Sequence, residues 1–202
     1  MASIKKKYHH GDLRSTLITN ATSMIKQHGV QGLSLRKLAE QVGVSRTAAY
    51  HHFSDKDDLL AAIAAQGFML WQQKSEQIFI NNDLSPTEKY RQFVHAYIHF
   101  ATQNSSLYEL MFGSTLWKNN LGNQSLKDTA YPSFQYQLTM TELWQQQGIL
   151  NAQENTLRVA QVTWATLHGL AMLFIDGIYT HDTNIDEMCE CAVNLFTLKA
   201  IN

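Results

Sequence analysis

The 202 residues predict an all-α chain, with an N-terminal three-helix helix-turn-helix domain and a larger C-terminal helical domain. Three observations carry the fold class. Apolar residues recur at i, i+3, i+4 and i+7 along most of the length, no stretch keeps the period-two alternation of a half-buried strand, and the breaks between periodic runs carry helix caps.

Leu13, Leu17, Ala21, Met24 and Ile25 trace the stripe of a first helix, which Gly29 ends as a C-terminal cap. Leu35, Leu38, Ala39 and Val42 mark a second, opened by Ser34 as N-cap and broken by Gly43. Ser45 caps a short third helix carrying Ala48, Ala49 and Tyr50. After Phe53, the run Ser54-Asp55-Lys56-Asp57 reads as a capping pattern with Ser54 at the cap and acids in the first turn, where the helix dipole favours them. That fourth helix is expected to run towards Phe79.

Ser85, Pro86 and Glu88 open a fifth helix over residues 86 to 103. Next come a short helix in NSSLYELMFG, a polar loop in STLWKNNLGNQS, and a long helix over residues 125 to 147. Pro132 is expected to kink or restart the long helix, and Gly148 to end it. Two last helices, about 152 to 179 and 184 to 200, flank YTHDTN. The first presents Ala160, Trp164, Leu167, Ala171 and Phe174; the second presents Ile185, Met188, Ala192 and Leu195.

Composition narrows the function. No apolar run approaches the roughly 18 residues of a membrane span, and MASIKKKYHH has no apolar segment behind its basic residues, so a cytoplasmic protein is expected. Cys189 and Cys191 point to different sides of a helix, which suits neither a disulfide nor a zinc clamp. No Gly-x-Ser-x-Gly, phosphate loop or spaced carboxylate pair offers a catalytic centre, so neither an enzyme nor a cofactor is expected. Charge is more informative: residues 1 to 60 hold nine Lys and Arg against five acids, and the remainder seven against twelve. A basic head on an acidic body points to a polyanionic partner for the head, although a solvated charged face also produces such a split.

Residues 34 to 53 fit the helix-turn-helix plan. Ala39 is the small residue at the helix crossing, Gly43 allows the turn, and Val42, Val44 and Ala49 wedge the helices together. The second helix of such a pair enters the major groove with its first residues at base edges. There Ser45-Arg46-Thr47-Ala48 sets Arg46 against guanine, Thr47 against a base or phosphate, and Ala48 against a thymine methyl. Adjacent His51 and His52 diverge by about 100° on a helix, which disfavours a shared metal ion. The basic KKKYHHGD, with Lys7, reads either as an arm along the minor groove or phosphates, or as a free tail.

The run GLSLRKLAEQVGVSRTAAYHHFSDKDDLL resembles the N-terminal DNA-binding domain of the TetR family of bacterial transcriptional regulators, closely over residues 11 to 65 and loosely beyond. The resemblance implies a homodimer on a palindromic double-stranded operator, acting as a repressor that a small molecule releases. It implies phosphate contacts from Ser34 and Arg36, from the Tyr50 hydroxyl with its ring packed inward, and from His52 and Lys56. His51 would face the groove and touch backbone or base, and Phe53 would be core. The expected domains are residues 11–71 and 72–202. A helical protein-interaction factor of the same fold is the alternative.

In the acidic body, Tyr97, Phe100, Trp117, Trp144, Trp164, His168 and Met172 are candidate ligand contacts, with Phe68, Trp71 and Phe79 beside them, though aromatics at helical spacing commonly fill core. WATLHGLAMLF resembles the Trp-x3-His-Gly signature of one subgroup of TetR-family C-terminal domains. Gly169, inside that helix, implies close helix approach. His168 could hydrogen-bond in the core or meet a ligand. His95 and His99 have the i, i+4 spacing of a metal pair, but no nearby residue completes a motif, and no metal is expected. The apolar stripes of the last two helices imply a four-helix homodimer interface or a share in the intrachain core.

Overall fold

Ser34, Ser45, Ser85 and Asn155 each turn a side-chain oxygen onto a backbone N–H three residues ahead, at 3.1–3.2 Å, and so start four helices. The computed structural model describes residues 10–117, 124–179 and 184–198, excepting the side chains of residues 10–12, 115 and 125. Helices account for most of them. In order they are α1 (His10–Gly32), α2 (Leu35–Val42), α3 (Arg46–His52), α4 (Lys56–Ile80), α5 (Pro86–Gln103), α6 (Ser105–Phe112), α7 (Ser114–Trp117), α8 (Gln124–Gln146), α9 (Thr156–Ile175) and α10 (Ile185–Phe196).

Most boundaries follow the sequence. Gly29 leaves helical space at φ 66°, ψ 173°, and one more turn to Gly32 follows it. Four expectations change. Asp55, not Ser54, caps α4: its carboxylate accepts the Asp58 N–H at 2.8 Å, while Asp58 Oδ2 accepts the Ser54 N–H at 3.0 Å. Residues 114–117, expected in a loop, form α7, whose end is fixed as the Trp117 Nε1–H donates to the Met111 carbonyl at 2.7 Å. The chain stays helical through Pro132. Finally α9 starts at Thr156 rather than near 152, because Asn155 supplies the cap, and stops at Ile175, where Asp176 and a left-handed Gly177 close it.

α4 is the shared wall of the molecule, packing against α1 on one part of its length and against α5, α6 and α8 elsewhere. Leu17, Leu38, Ala49, Phe53, Leu59 and Ile63 are buried between α1, α2, α3 and the start of α4. Each such leucine or phenylalanine contributes about 1.5–3 kcal/mol by leaving water. The same connected core continues into the body through Tyr90, Tyr97, Ile98, Tyr108, Met111, Trp144 and Leu167. Gly67 leaves room for α6 against α4, since a Cβ there would stand 2.5 Å from Met111 Sδ. Gly169 behaves otherwise. A Cβ there would meet nothing within 4 Å among the described residues, so the close approach expected of it does not occur among them.

Candidate functional site

The turn between α2 and α3 is built by a single left-handed residue. Gly43, at φ 76° and ψ 31°, lets its N–H reach the Glu40 carbonyl at 3.1 Å and the Val44 N–H reach the Ala39 carbonyl at 2.9 Å. These two bonds satisfy carbonyls that the end of α2 leaves over. Ala39 and Ala49 are fully buried where α2 crosses α3, and Phe53 closes the far end beneath the Arg14 guanidinium, 5.2 Å from its ring centre.

With Ala49 and Phe53 turned inward, Arg46, Thr47, Tyr50 and His51 share the opposite, exposed face of α3. Ser45 and Arg36 are exposed too, while Ser34, Ala48, His52 and Lys56 are half-buried. The Tyr50 ring departs from expectation: it is 53% exposed, because the inward positions of α3 belong to Ala49 and Phe53. Among the described residues Arg36, Arg46 and Lys56 enter no salt bridge, which leaves three cations available to an outside anion. Lys7 lies outside the described residues.

A cavity of about 400 Å³ opens in the body between α4, α5, α8 and α9. Tyr97, Trp117 and Trp164 line it, as do Phe68 and Trp71. Phe100 instead packs on Trp71, with ring centres 5.7 Å apart. Trp144 is buried elsewhere, against Tyr90 and Phe93 at 5.0 and 5.3 Å. His168 and Met172 are also off this wall. Phe112, Phe134, Gln137 and Gln161 line it without having been singled out in the sequence. A search for aromatics passes over glutamines, and only packing shows which face of α8 or α9 turns inward.

One hydrogen-bonded chain leads away from the cavity. The Trp164 Nε1–H donates to the Tyr97 hydroxyl at 2.8 Å, that hydroxyl meets the Tyr108 hydroxyl at 2.7 Å, and Tyr108 meets His168 Nδ1 at 2.7 Å. Indole can only donate, so Tyr97 accepts from Trp164, while the Tyr97–Tyr108 and Tyr108–His168 bonds can each be donated from either side. Burial acts on the last three of these groups. It holds the Tyr97 and Tyr108 hydroxyls well above the ordinary phenol range and pushes the His168 imidazole below its ordinary value, so each link stays neutral.

Elsewhere, α10 brings Asp186 to the His95–His99 pair. One ligand atom from each of the three lies within 4.8 Å of the others. Asp186 is 87 residues from His99 along the chain, so spacing around residues 95 to 99 gives no sign of it.

Residues 90–196 match the family model for the tetracyclin repressor-like C-terminal domain, and residues 17–63 match that for bacterial regulatory proteins of the tetR family. The first match alone covers more than half of the chain. The chain belongs to the TetR family. Over 53 residues this TetR-family chain is 42% identical to the HTH-type transcriptional repressor AcnR of Corynebacterium diphtheriae, a stretch that makes 26% of the chain and 28% of AcnR. The chain thus spans little more than a quarter of the length of that curated relative. A structure of a protein of unknown function from Rhodococcus sp. RHA1 is similar throughout: 30% identical, TM-score 0.82, with 95% of this chain and 97% of that one covered. The fatty acid degradation regulator FadR of Bacillus halodurans, at 15% identity, shares the fold with a TM-score of 0.71 over 95% of this chain and 96% of its own.

Proposed function

We propose that this TetR-family chain binds a palindromic operator as a homodimer and represses transcription until a small molecule releases it. The supporting observation is the continuity of α4. Lys56 begins that helix and Phe68 and Trp71 line the cavity further along it. Fifteen residues of helix separate Lys56 from Trp71, about 22 Å. A ligand that reshapes the cavity wall therefore acts on the rod that carries Lys56 and packs against α1.

In this reading Arg46 and Thr47 meet base edges or phosphates, with Ala48 beside them, and Ser34, Arg36, Ser45, Tyr50, His52 and Lys56 hold the backbone. His51 lies against the groove, and Lys7 belongs to a basic arm. Residues 11–71 form the DNA-binding domain and residues 72–202 the ligand-binding and dimerisation domain. The protein acts in the cytoplasm, where its operator would be, and by binding rather than catalysis.

The cavity suits a neutral, largely apolar or aromatic effector, with Tyr97 and Gln137 as polar contacts among indole and phenyl walls. The Trp-x3-His-Gly subgroup assignment draws support from the hydrogen-bonded chain that joins Trp164 to His168. The homodimer draws support from Gly169, open on its own chain, and from exposed Val162 and Leu195 on the last two helices.

The test is selection from random duplexes by the full chain. A palindrome should be enriched, and Arg46→Ala combined with Tyr50→Ala should abolish the enrichment while leaving helical content unchanged. Absence of any enriched sequence overturns operator recognition and favours a protein-interaction role.

A further inference from the structure

Where α5 meets α10, four side chains form a cluster that the operator-binding reading does not use. Asp186 Oδ1 lies 3.3 Å from His95 Nδ1 and 2.9 Å from His99 Nε2. Glu190 Oε1 lies 2.8 Å from His95 Nε2 and is held in turn by Arg91 Nε at 3.1 Å. Arg91 is anchored at its other side by Glu88 at 2.7 Å.

The protons of this arrangement are over-committed. A neutral His95 can give Nε2–H to Glu190, but its Nδ1 then turns a lone pair towards the Asp186 carboxylate. The same Asp186 oxygen is shared by His99. The facing acceptors need either one added proton on His95 or a cation between them, since His99 can give its own Nε2–H to Asp186. The His95 and His99 rings stand 6.4 Å apart on the same face of α5. A single divalent ion removes that conflict. The carboxylates outnumber the cations here, with Glu88, Asp186 and Glu190 against Arg91, so the surroundings favour a dication.

We propose that His95, His99 and Asp186 form a binding site for a divalent transition metal of the zinc type, which ties α10 to α5. The donor set is two imidazoles one helical turn apart and one carboxylate, a combination suited to zinc. A tetrahedral ion with bonds of about 2.0–2.1 Å sets its ligands about 3.3 Å apart, close to the spacing around Asp186 Oδ1. Glu190 acts behind the ligands: by accepting Nε2–H of His95 it fixes the tautomer that presents Nδ1 to the metal. The Asp186 side chain is 63% exposed, so the fourth position is open to water.

The experiment titrates chelator-stripped full chain with Zn²⁺ by calorimetry and with Co²⁺ by visible absorption. His9, His10 and Cys191 are replaced throughout, so that the N-terminal imidazole pair and the exposed thiol do not report. One equivalent of Zn²⁺ should bind, Co²⁺ should give the intense bands of a four-coordinate ion, and Zn²⁺ should raise Tm. Asp186→Asn and His99→Ala should each weaken binding at least tenfold and remove the Tm shift. Glu190→Gln, which keeps every ligand, should weaken it about tenfold through the outer-shell bond. All variants should match the parent by circular dichroism without metal. No binding to the parent, or equal affinity and an equal Tm shift in Asp186→Asn and His99→Ala, overturns the site, and neither result touches operator binding.

Discussion

Trp164 and His168, one turn apart on α9, are joined through two tyrosines of other helices, Tyr97 from α5 and Tyr108 from α6. One end of this chain, the Trp164 indole, is a cavity wall, and α6 packs on both α1 and α4. A ligand that takes the indole N–H or the Tyr97 hydroxyl for itself must break a chain whose later links rest on α6. The bonds are 2.7–2.8 Å long, the central Tyr97–Tyr108 bond buried and the outer two partly buried.

Tyr108→Phe deletes the middle link, leaving the Tyr97 hydroxyl with Trp164 alone and His168 Nδ1 without its partner. The expected cost is about 1–3 kcal/mol, the range for leaving buried polar groups unpaired. Urea unfolding of the two proteins measures it, and an unchanged midpoint would show that water enters the site.

The His168 pKa is depressed by burial, so the folded state holds a proton less readily than the unfolded chain. Its neutral form contributes stability that is fully present above the ordinary imidazole value, about 6.5, and is lost as pH falls through the lower folded value. Urea midpoints at about pH 7.5 and pH 5 should therefore fall further in the parent than in His168→Gln. Equal losses in both proteins would remove His168 from the linkage.

Gly43 sits at φ 76°, where a Cβ meets no neighbour, so its requirement is backbone conformation alone. Gly43→Ala should cost about 1–2 kcal/mol. Gly43→Asn should cost less, since asparagine tolerates the left-handed region better. Thermal or urea unfolding separates the two, and equal effects would argue against a conformational cause.

Leu195 is 77% exposed and Val162 57%, on the two helices proposed to meet a second copy. Leu195→Glu combined with Val162→Glu should turn a dimer into a monomer in sedimentation while leaving the fold intact, because neither side chain packs in its own core. The parent sedimenting as a monomer at micromolar concentration contradicts the proposed interface.

Much of the helix pattern was legible because caps are local. Ser34, Ser45 and Ser85 each satisfy an N–H three residues on, and Gly43 closes its turn within five residues, so residue type and spacing reveal them. Where two polar residues compete, as Ser54 and Asp55 do, the pattern alone misplaced the cap by one position. The exposed face of α3 was also readable, since burying Ala49 and Phe53 fixes where Arg46 and Thr47 point.

The sequence by itself determined the helices, the turn and the basic face that meets solvent, all set by interactions within a few residues. Tertiary structure alone decided which aromatics surround the cavity, why Trp144 and His168 stand off it, and that Asp186 completes the histidine pair. The Tyr108–His168 and His95–Asp186 contacts join residues 60 and 91 positions apart. Helical periodicity says that a face is apolar; only packing says what lies opposite it.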